Sequence, residues 1–413
     1  MRSLLLALLV AALVPASAFA RPAPPDRPFG GRDGIVHPVP GFESTGNAVA
    51  VLPSGRIVAA GGTRRRAGES FAIVRLDRRG KVERRRYVRF PEAPYSAAAD
   101  LALTRGGRIL VAGLARDEDG DGRVALAALR PSLRPDPRFG TGGRALGPPL
   151  DGTLGVDAMA VDRAGRILVL ATSGAWGDGI EVTRFLADGS LDRGFGAGGT
   201  WTSRRRGGGR AIAVGRDGEI LVAGKPVPGG ARRPAFLFAR LSPGGVARSV
   251  DVRRLGRGAT GTGPVAIVAR GDGSAWVAGT LSEKRGRSRP VLLRYGRGGR
   301  LDRRFGRGGM RRLGRRKGSF TTAGMTRRPG GRLLIGGKRR YDAWTFYGLT
   351  RAGRFDPRVG EQTRGGLGFN AVPVLRDFTT RGRRIVAVGT DEDDQRIDFF
   401  TYFMVTAIRI VPS

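Results

Sequence analysis

The sequence predicts an all-β fold: a seven-bladed β-propeller with four antiparallel strands per blade, its ring closed by an N-terminal strand that completes the last blade. Three observations carry this prediction. An apolar run of the form RILVAG recurs seven times, at 56–61, 108–113, 166–171, 219–224, 274–279, 332–337 and 384–389. The last residues of these runs are 52, 58, 53, 55, 58 and 52 apart, a period that a repeat architecture explains and independent domains of about 150 residues do not. Each copy also divides into four short strand signals with hairpin-length connections, and none contains an amphipathic segment of helical length. Finally, the last copy stops one strand short, and a matching segment stands at the other end of the chain.

In chain order, Arg2 precedes an apolar run at 4–14 and then Ala18-Phe19-Ala20. That run is shorter than the roughly 20 residues a bilayer span requires, and its small-x-small ending predicts a secretory signal peptide cleaved after Ala20. Residues 21–413 then form a single propeller domain. The chain has no cysteine, which excludes disulfides, thiolate metal sites and attachment through a lipidated cysteine. The core alone must hold the fold. The C-terminal stretch 399–410 is apolar but short and includes Thr401, Tyr402 and Thr406, so it reads as a strand, with no membrane anchor expected.

Residues 158–202 display one copy in full. A short first strand enters the turn Asp162-Arg163-Ala164-Gly165, where Gly accepts positive φ and Asp can bond its own turn. The run 166–171 follows, nearly all apolar, as a strand covered on both faces should be. A polar connection, a more alternating third strand and the turn 187–190 lead to LDRGFGAGG and a brief outer strand. The FG segment recurs around Phe139 and Phe305 and is worn at 355–360. Its Phe is expected to wedge between adjacent sheets, with the glycines reversing the chain behind it. The first and fourth copies use plain turns instead. The last copy lacks the segment, whereas Asp26-Arg27-Pro28-Phe29-Gly30-Gly31 followed by residues 35–39 supplies it from the N-terminus. Closing the ring in this way removes two exposed sheet edges.

LADGSLDRGFGAGGTWT, followed by an alternating run, a D-x-G turn and ILVAG, resembles the delta-60 repeat family of bacterial exported proteins, over essentially residues 26–410. The resemblance implies a propeller-like fold and export, and it implies no catalytic residue.

The net charge is +38, from 73 basic and 35 acidic residues. Such a surface favours anionic partners at low salt. For an exported monomer these would be an anionic envelope polymer, a glycan or an acidic protein, rather than nucleic acid. Arg64, Arg65 and Arg66 and the cluster Lys338, Arg339 and Arg340 fall between the second and third strands of their copies. Further clusters occur at 84–86, 204–206 and 315–317. With Trp176, Tyr341 and Trp344 expected in loops of the same kind, they could form a basic, aromatic rim that holds a polyanion by charge and stacking. Trp276, inside an apolar strand, is expected in the core.

The sequence speaks against catalysis. His37 is the only histidine and is placed on the closing strand, so no His-based metal cluster can form and a serine nucleophile would need another base. The glycine triplet at 207–209 is not a phosphate loop preceding a helix, and Asp162, Asp217 and Asp272 are turn formers. Asp117, Asp119 and Asp121, followed by Gly122, resemble the first half of a calcium loop. Ala125 and Ala128 stand where further ligands belong, so calcium would need backbone carbonyls, water or Glu118 to complete its ligand set, and no other cofactor is expected. The acidic stretch 391–395 with Asp398 is equally incomplete. The alternative to a binding propeller is a carboxylate-dependent lyase or glycosidase working in the central channel, or a purely structural surface protein.

Overall fold

The computed structural model describes residues 21–22, 29–30, 34–40, 43–65, 68–150, 152, 155–174, 179–227, 235–254, 259–283, 286–314, 319–339, 343–364, 374–393 and 400–410. Seven four-stranded antiparallel sheets form the ring, spanning residues 44–88, 95–150, 155–202, 207–254, 259–312, 320–364 and 374–409, here blades 1 to 7. In each of blades 1 to 6 the strands run in sequence order outward from the axis. Blade 7 takes its outer strand from the N-terminus: Ile35–Val36 pairs antiparallel with Phe400–Arg409, Ile35 opposite Thr406 and Val36 opposite Val405. The expected closure is therefore present, on a shorter strand than residues 35–39. Arg21–Pro22 adds a parallel fifth strand to blade 6, against Glu361–Arg364, which the repeat pattern does not signal.

The repeated apolar run is the second strand of each blade and the densest part of the core. Ile167, Val169 and Leu170 are fully buried, as are Ile57, Val58, Ala59 and Ala60. Burying such side chains contributes about 1.5–3 kcal/mol each. The terminal glycine of the run has a steric cause. In all seven blades the first strand carries a β-bulge, after Gly46, Ala98, Val156, Gly209, Pro264, Thr322 and Leu375. The bulge pushes a first-strand carbonyl against the second strand. A Cβ on Gly61 would meet Thr45 O at 1.7 Å, one on Gly113 Ala97 O at 2.1 Å, and one on Gly337 Thr321 O at 2.2 Å.

Two kinds of contact join neighbouring blades on the face that carries the short turns. The first is the expected aromatic wedge. Phe139, Phe195 and Phe29 are fully buried, each against the third turn of the next blade, where Gly189, Gly245 and Gly80 leave no room for a Cβ beside the ring. The following glycine seals the contact with a backbone bond, from Gly140 N to Asp188 O, Gly196 N to Gly244 O and Gly30 N to Arg79 O. Phe305 packs on Gly353 in the same way. In the worn blade 6 the wedge position is Val359, buried, whereas Phe355 is 46% exposed.

The second contact occurs at every seam. An arginine of one blade donates to a turn carbonyl of the next: Arg75 to Pro131, Arg108 to Ala187, Arg184 to Pro243, Arg240 to Gly273, Arg311 to Gly353, Arg328 to Gly382, and Arg381 to Leu52. Several of these arginines are fixed from behind by a carboxylate and lie over an aromatic ring. Arg184 Nε is 2.8 Å from Asp192 Oδ2 and its guanidinium carbon is 4.4 Å from the Phe195 centroid. Arg108 pairs with Asp136 at 2.7 Å. A charged donor is among the stronger hydrogen-bonding groups available to a turn carbonyl.

Phe195→Ala and Phe29→Ala are each expected to destabilise the protein by about 3–5 kcal/mol, and Phe355→Ala to change stability by less than about 0.5 kcal/mol; urea unfolding checks the order. Arg184→Ala should cost about 3–5 kcal/mol, because it also strands the part-buried Asp192. The same measurement tests that value against Arg163→Ala, an exposed turn residue for which no loss is expected.

Candidate functional site

The structure separates the residues expected to form a basic aromatic rim. Arg64 and Arg65 end the second strand of blade 1, and Lys338 and Arg339 end that of blade 6. They share the face opposite the short turns, but blade 7 stands between them. Arg64 lies 3.6 Å from Glu43, Arg65 stacks 4.4 Å from the Tyr87 centroid, and Arg339 is ion-paired with Glu361. Trp344 is not a loop residue. It sits in Ala343–Leu349, has no exposed surface, and its ring fills the space beside Gly389 of blade 7. Its expected ligand role is therefore corrected to one in the core. Trp276 is 1% exposed, in the core as expected. Arg66, Trp176, Arg340 and Tyr341 lie outside the described residues. His37 is exposed beside the closing strand, its ring edge-on to Tyr402 at 6.0 Å.

The acidic loop of blade 2 does not bring Asp117, Asp119 and Asp121 to one point. The Asp117 carboxylate accepts the Asp121 amide at 2.8 Å, closing its own hairpin. Among the described residues no three acidic or histidine side chains converge as a metal site would require. The side chains of 391–398 lie outside the described ones.

Three acidic residues that the sequence reading missed line the axis. Asp100, Asp157 and Asp377 stand on the first strands of blades 2, 3 and 7 at or beside the bulge. Asp377 accepts Val49 N of blade 1 at 2.9 Å and its own neighbour's Phe378 N at 2.7 Å. Asp100 accepts Met159 N of blade 3 and Leu101 N, both at 2.7 Å. Asp157 accepts Thr172 Oγ1 at 2.5 Å and Arg210 of blade 4 at 3.0 Å. Each is partly buried between first strands. Burial pushes Asp100 and Asp157 up to about 6, against their hydrogen bonds. Asp377 rises to about 7, through burial and then the negative charge of Asp100. The available signal was a lone acid in an otherwise apolar or hydroxylic first strand, as in AAADLAL.

On the turn face, a cleft of about 550 Å³ opens between blades 5 and 6. Arg216, Arg270, Arg327 and Arg351 line it, with Asp272 as the one acidic group among the described lining residues. Its floor is Val268, Leu333 and the edge of Trp276, and its lip is the glycine pair Gly330-Gly331. The Arg270 guanidinium sits 5.1 Å from the Trp276 ring centroid and 3.2 Å from the Asp272 carboxylate. Burial draws its proton affinity below the ordinary arginine range. Arg294, Arg351 and Arg327 add to the effect and Asp272 opposes it. No motif announced this cleft, since its arginines come from three blades.

No protein-family model matches the chain, and a search of curated proteins found no match. Solved structures do resemble it. An ulvan lyase of polysaccharide lyase family PL25, bound to -[GlcA(1-4)Rha3S]-, aligns with a TM-score of 0.54 and 11% identity over 89% of this chain and 95% of its own. Polysaccharide lyase Uly1 aligns at 0.51 and 11% identity, over 89% and 90%. The lectin BP39L from Burkholderia pseudomallei aligns at 0.47 and 12%, over 90% and 99%. At these identities the likeness is one of fold, a β-propeller. Among the described residues no helix is long and apolar enough to cross a membrane.

The channel acids set a pH dependence. Their folded pKa values lie above the ordinary 3.8, so the native state binds more protons than the unfolded chain between about pH 4 and 7. This contribution to stability is complete below pH 4 and is lost as pH rises through 6 to 7. Asp377→Asn should flatten the fall in urea midpoint between pH 5 and 8 relative to wild type. An unchanged slope would contradict the assignment.

Proposed function

We propose that this is an exported, non-catalytic binding propeller, built of repeats like those of the delta-60 family, that engages an anionic envelope polymer or glycan through its basic surface. One observation carries the reading: an excess of 38 positive charges held on a ring in which several acids are paired with arginines. Glu83 lies against Arg56 and Arg75, Asp162 against Arg166, Glu283 against Arg289 and Arg312, and Asp356 against Arg332. An ulvan lyase of the same fold is bound to -[GlcA(1-4)Rha3S]-, which supports the reading only so far as a propeller of this build can carry a glycan.

The competing reading, a lyase or glycosidase in the channel, draws on Asp100 and Asp377, two acids with raised pKa values. Against it, all four of their carboxylate oxygens accept backbone amides, two of them from the next blade, an arrangement suited to joining blades. A catalytic acid or base needs its proton within hydrogen-bond reach of the reacting group.

Chromatography on immobilised dextran sulfate, with neutral dextran as the control, tests the proposal. Retention on the sulfated matrix should be strong at low salt and should fall steeply as the Debye length shrinks below about 10 Å near 0.1 M. No preference for the charged matrix would sink the reading. Release of unsaturated uronide from polygalacturonate or ulvan would replace it with the lyase reading.

A further inference from the structure

We infer that the cleft between blades 5 and 6 is the subsite that grips a charged residue of an anionic glycan, an inference that rests on the polyanion reading above. The argument starts from the seams. The residue immediately after the first strand, or at its last position, is arginine in blades 5, 6 and 7: Arg270, Arg328 and Arg381. In blades 6 and 7 this arginine reaches across the seam and donates to a turn carbonyl of the next blade, Gly382 O and Leu52 O respectively. At the seam from blade 5 to blade 6 that task is performed by Arg311, which donates to Gly353 O at 2.8 Å. Arg270 is thereby released from the structural role its counterparts fill.

The surroundings of Arg270 then suit an incoming anion. It is held over Trp276 with its side chain only 16% exposed, beside Asp272, whose side chain is 43% exposed. Arg216, Arg327 and Arg351 bring three exposed guanidiniums to the same space. Four positive groups around one carboxylate leave a net positive site, and an anion entering it relieves repulsion that the empty cleft must carry. The opposite turn keeps the space open. Gly330 and Gly331 both have positive φ, and a Cβ on Gly330 would point into open space. A cleft of this volume admits one or two sugar residues. Half-buried Val268 offers an apolar contact to the C–H face of a sugar ring, which a linear polyphosphate cannot use. Planar guanidiniums match carboxylate and sulfate-ester oxygens in pairs.

The test is calorimetric titration of the full chain at low salt with oligomers of dextran sulfate, polygalacturonate and neutral dextran, and with inorganic polyphosphate. Arg270→Gln with Arg351→Gln should weaken the charged glycan that binds best by roughly tenfold or more, as loss of two charged hydrogen-bond donors implies. Arg303→Gln with Arg304→Gln removes the same charge from the exposed edge of blade 5 and should change affinity less than about twofold. Should the Arg270 variant fail to fold, Arg327→Gln with Arg351→Gln, both exposed, gives the same comparison. Dextran sulfate against polygalacturonate distinguishes sulfate from carboxylate recognition. Equal losses from the cleft and control pairs, or no loss from either, would overturn the subsite while leaving general polyanion binding intact. Tighter binding of polyphosphate than of either glycan would overturn the glycan as occupant. Failure of the wild-type protein to bind any of the charged polymers would instead refute the broader reading.

Discussion

The ring depends on a hydrogen bond that crosses from each blade to the next, from an arginine guanidinium to a turn carbonyl. A four-stranded sheet has a face to bury on each side, and wedge-shaped sheets arranged radially bury both faces at once. Apolar contact alone is non-directional and tolerates sliding between sheets. The arginine bond fixes the turn of one blade at a set position on its neighbour, and it is present at all seven seams. Where an aromatic wedge is also present, the guanidinium can cap the same ring, as Arg184 does over Phe195 and Arg311 over Phe305. The seam that closes the ring is built like the others, although its Phe29 and the Gly80 against which it packs belong to opposite ends of the circuit.

This gives the arginine excess two parts with different meanings. A first part is architectural: these guanidiniums are directed inward along the seams, and a lysine could not supply the same forked, planar donor set. A second part remains on the surface and gives the molecule its outward field. Arg270 marks the boundary between the two, since it occupies a position that is structural in the next two blades and faces an open cleft in its own.

The blade count, the closing strand and the wedge role of Phe139, Phe195 and Phe305 were legible because they repeat, and repetition separates signal from composition. The seam arginines were not legible. They come from different strands and turns in different blades, and a carbonyl acceptor has no sequence signature. Trp344 was misread because the polar residues before it resemble a loop, while the strand begins at Ala343 and carries the ring inward. The bulges had a readable trace in the glycine that ends six of the seven apolar runs, although its cause, a carbonyl pressed against the second strand, is visible only in three dimensions. Asp100 and Asp377 show in the sequence only as lone acids within their first strands, and the ring is what brings them together.

Native-state amide hydrogen exchange tests most directly whether the seams bind seven sheets into one unit. The second-strand amides, from Val58 in blade 1 to Val386 in blade 7, should share a single opening free energy, that of global unfolding. A graded pattern, with blades 1, 4 and 6 opening separately because they lack the aromatic wedge, would contradict the account.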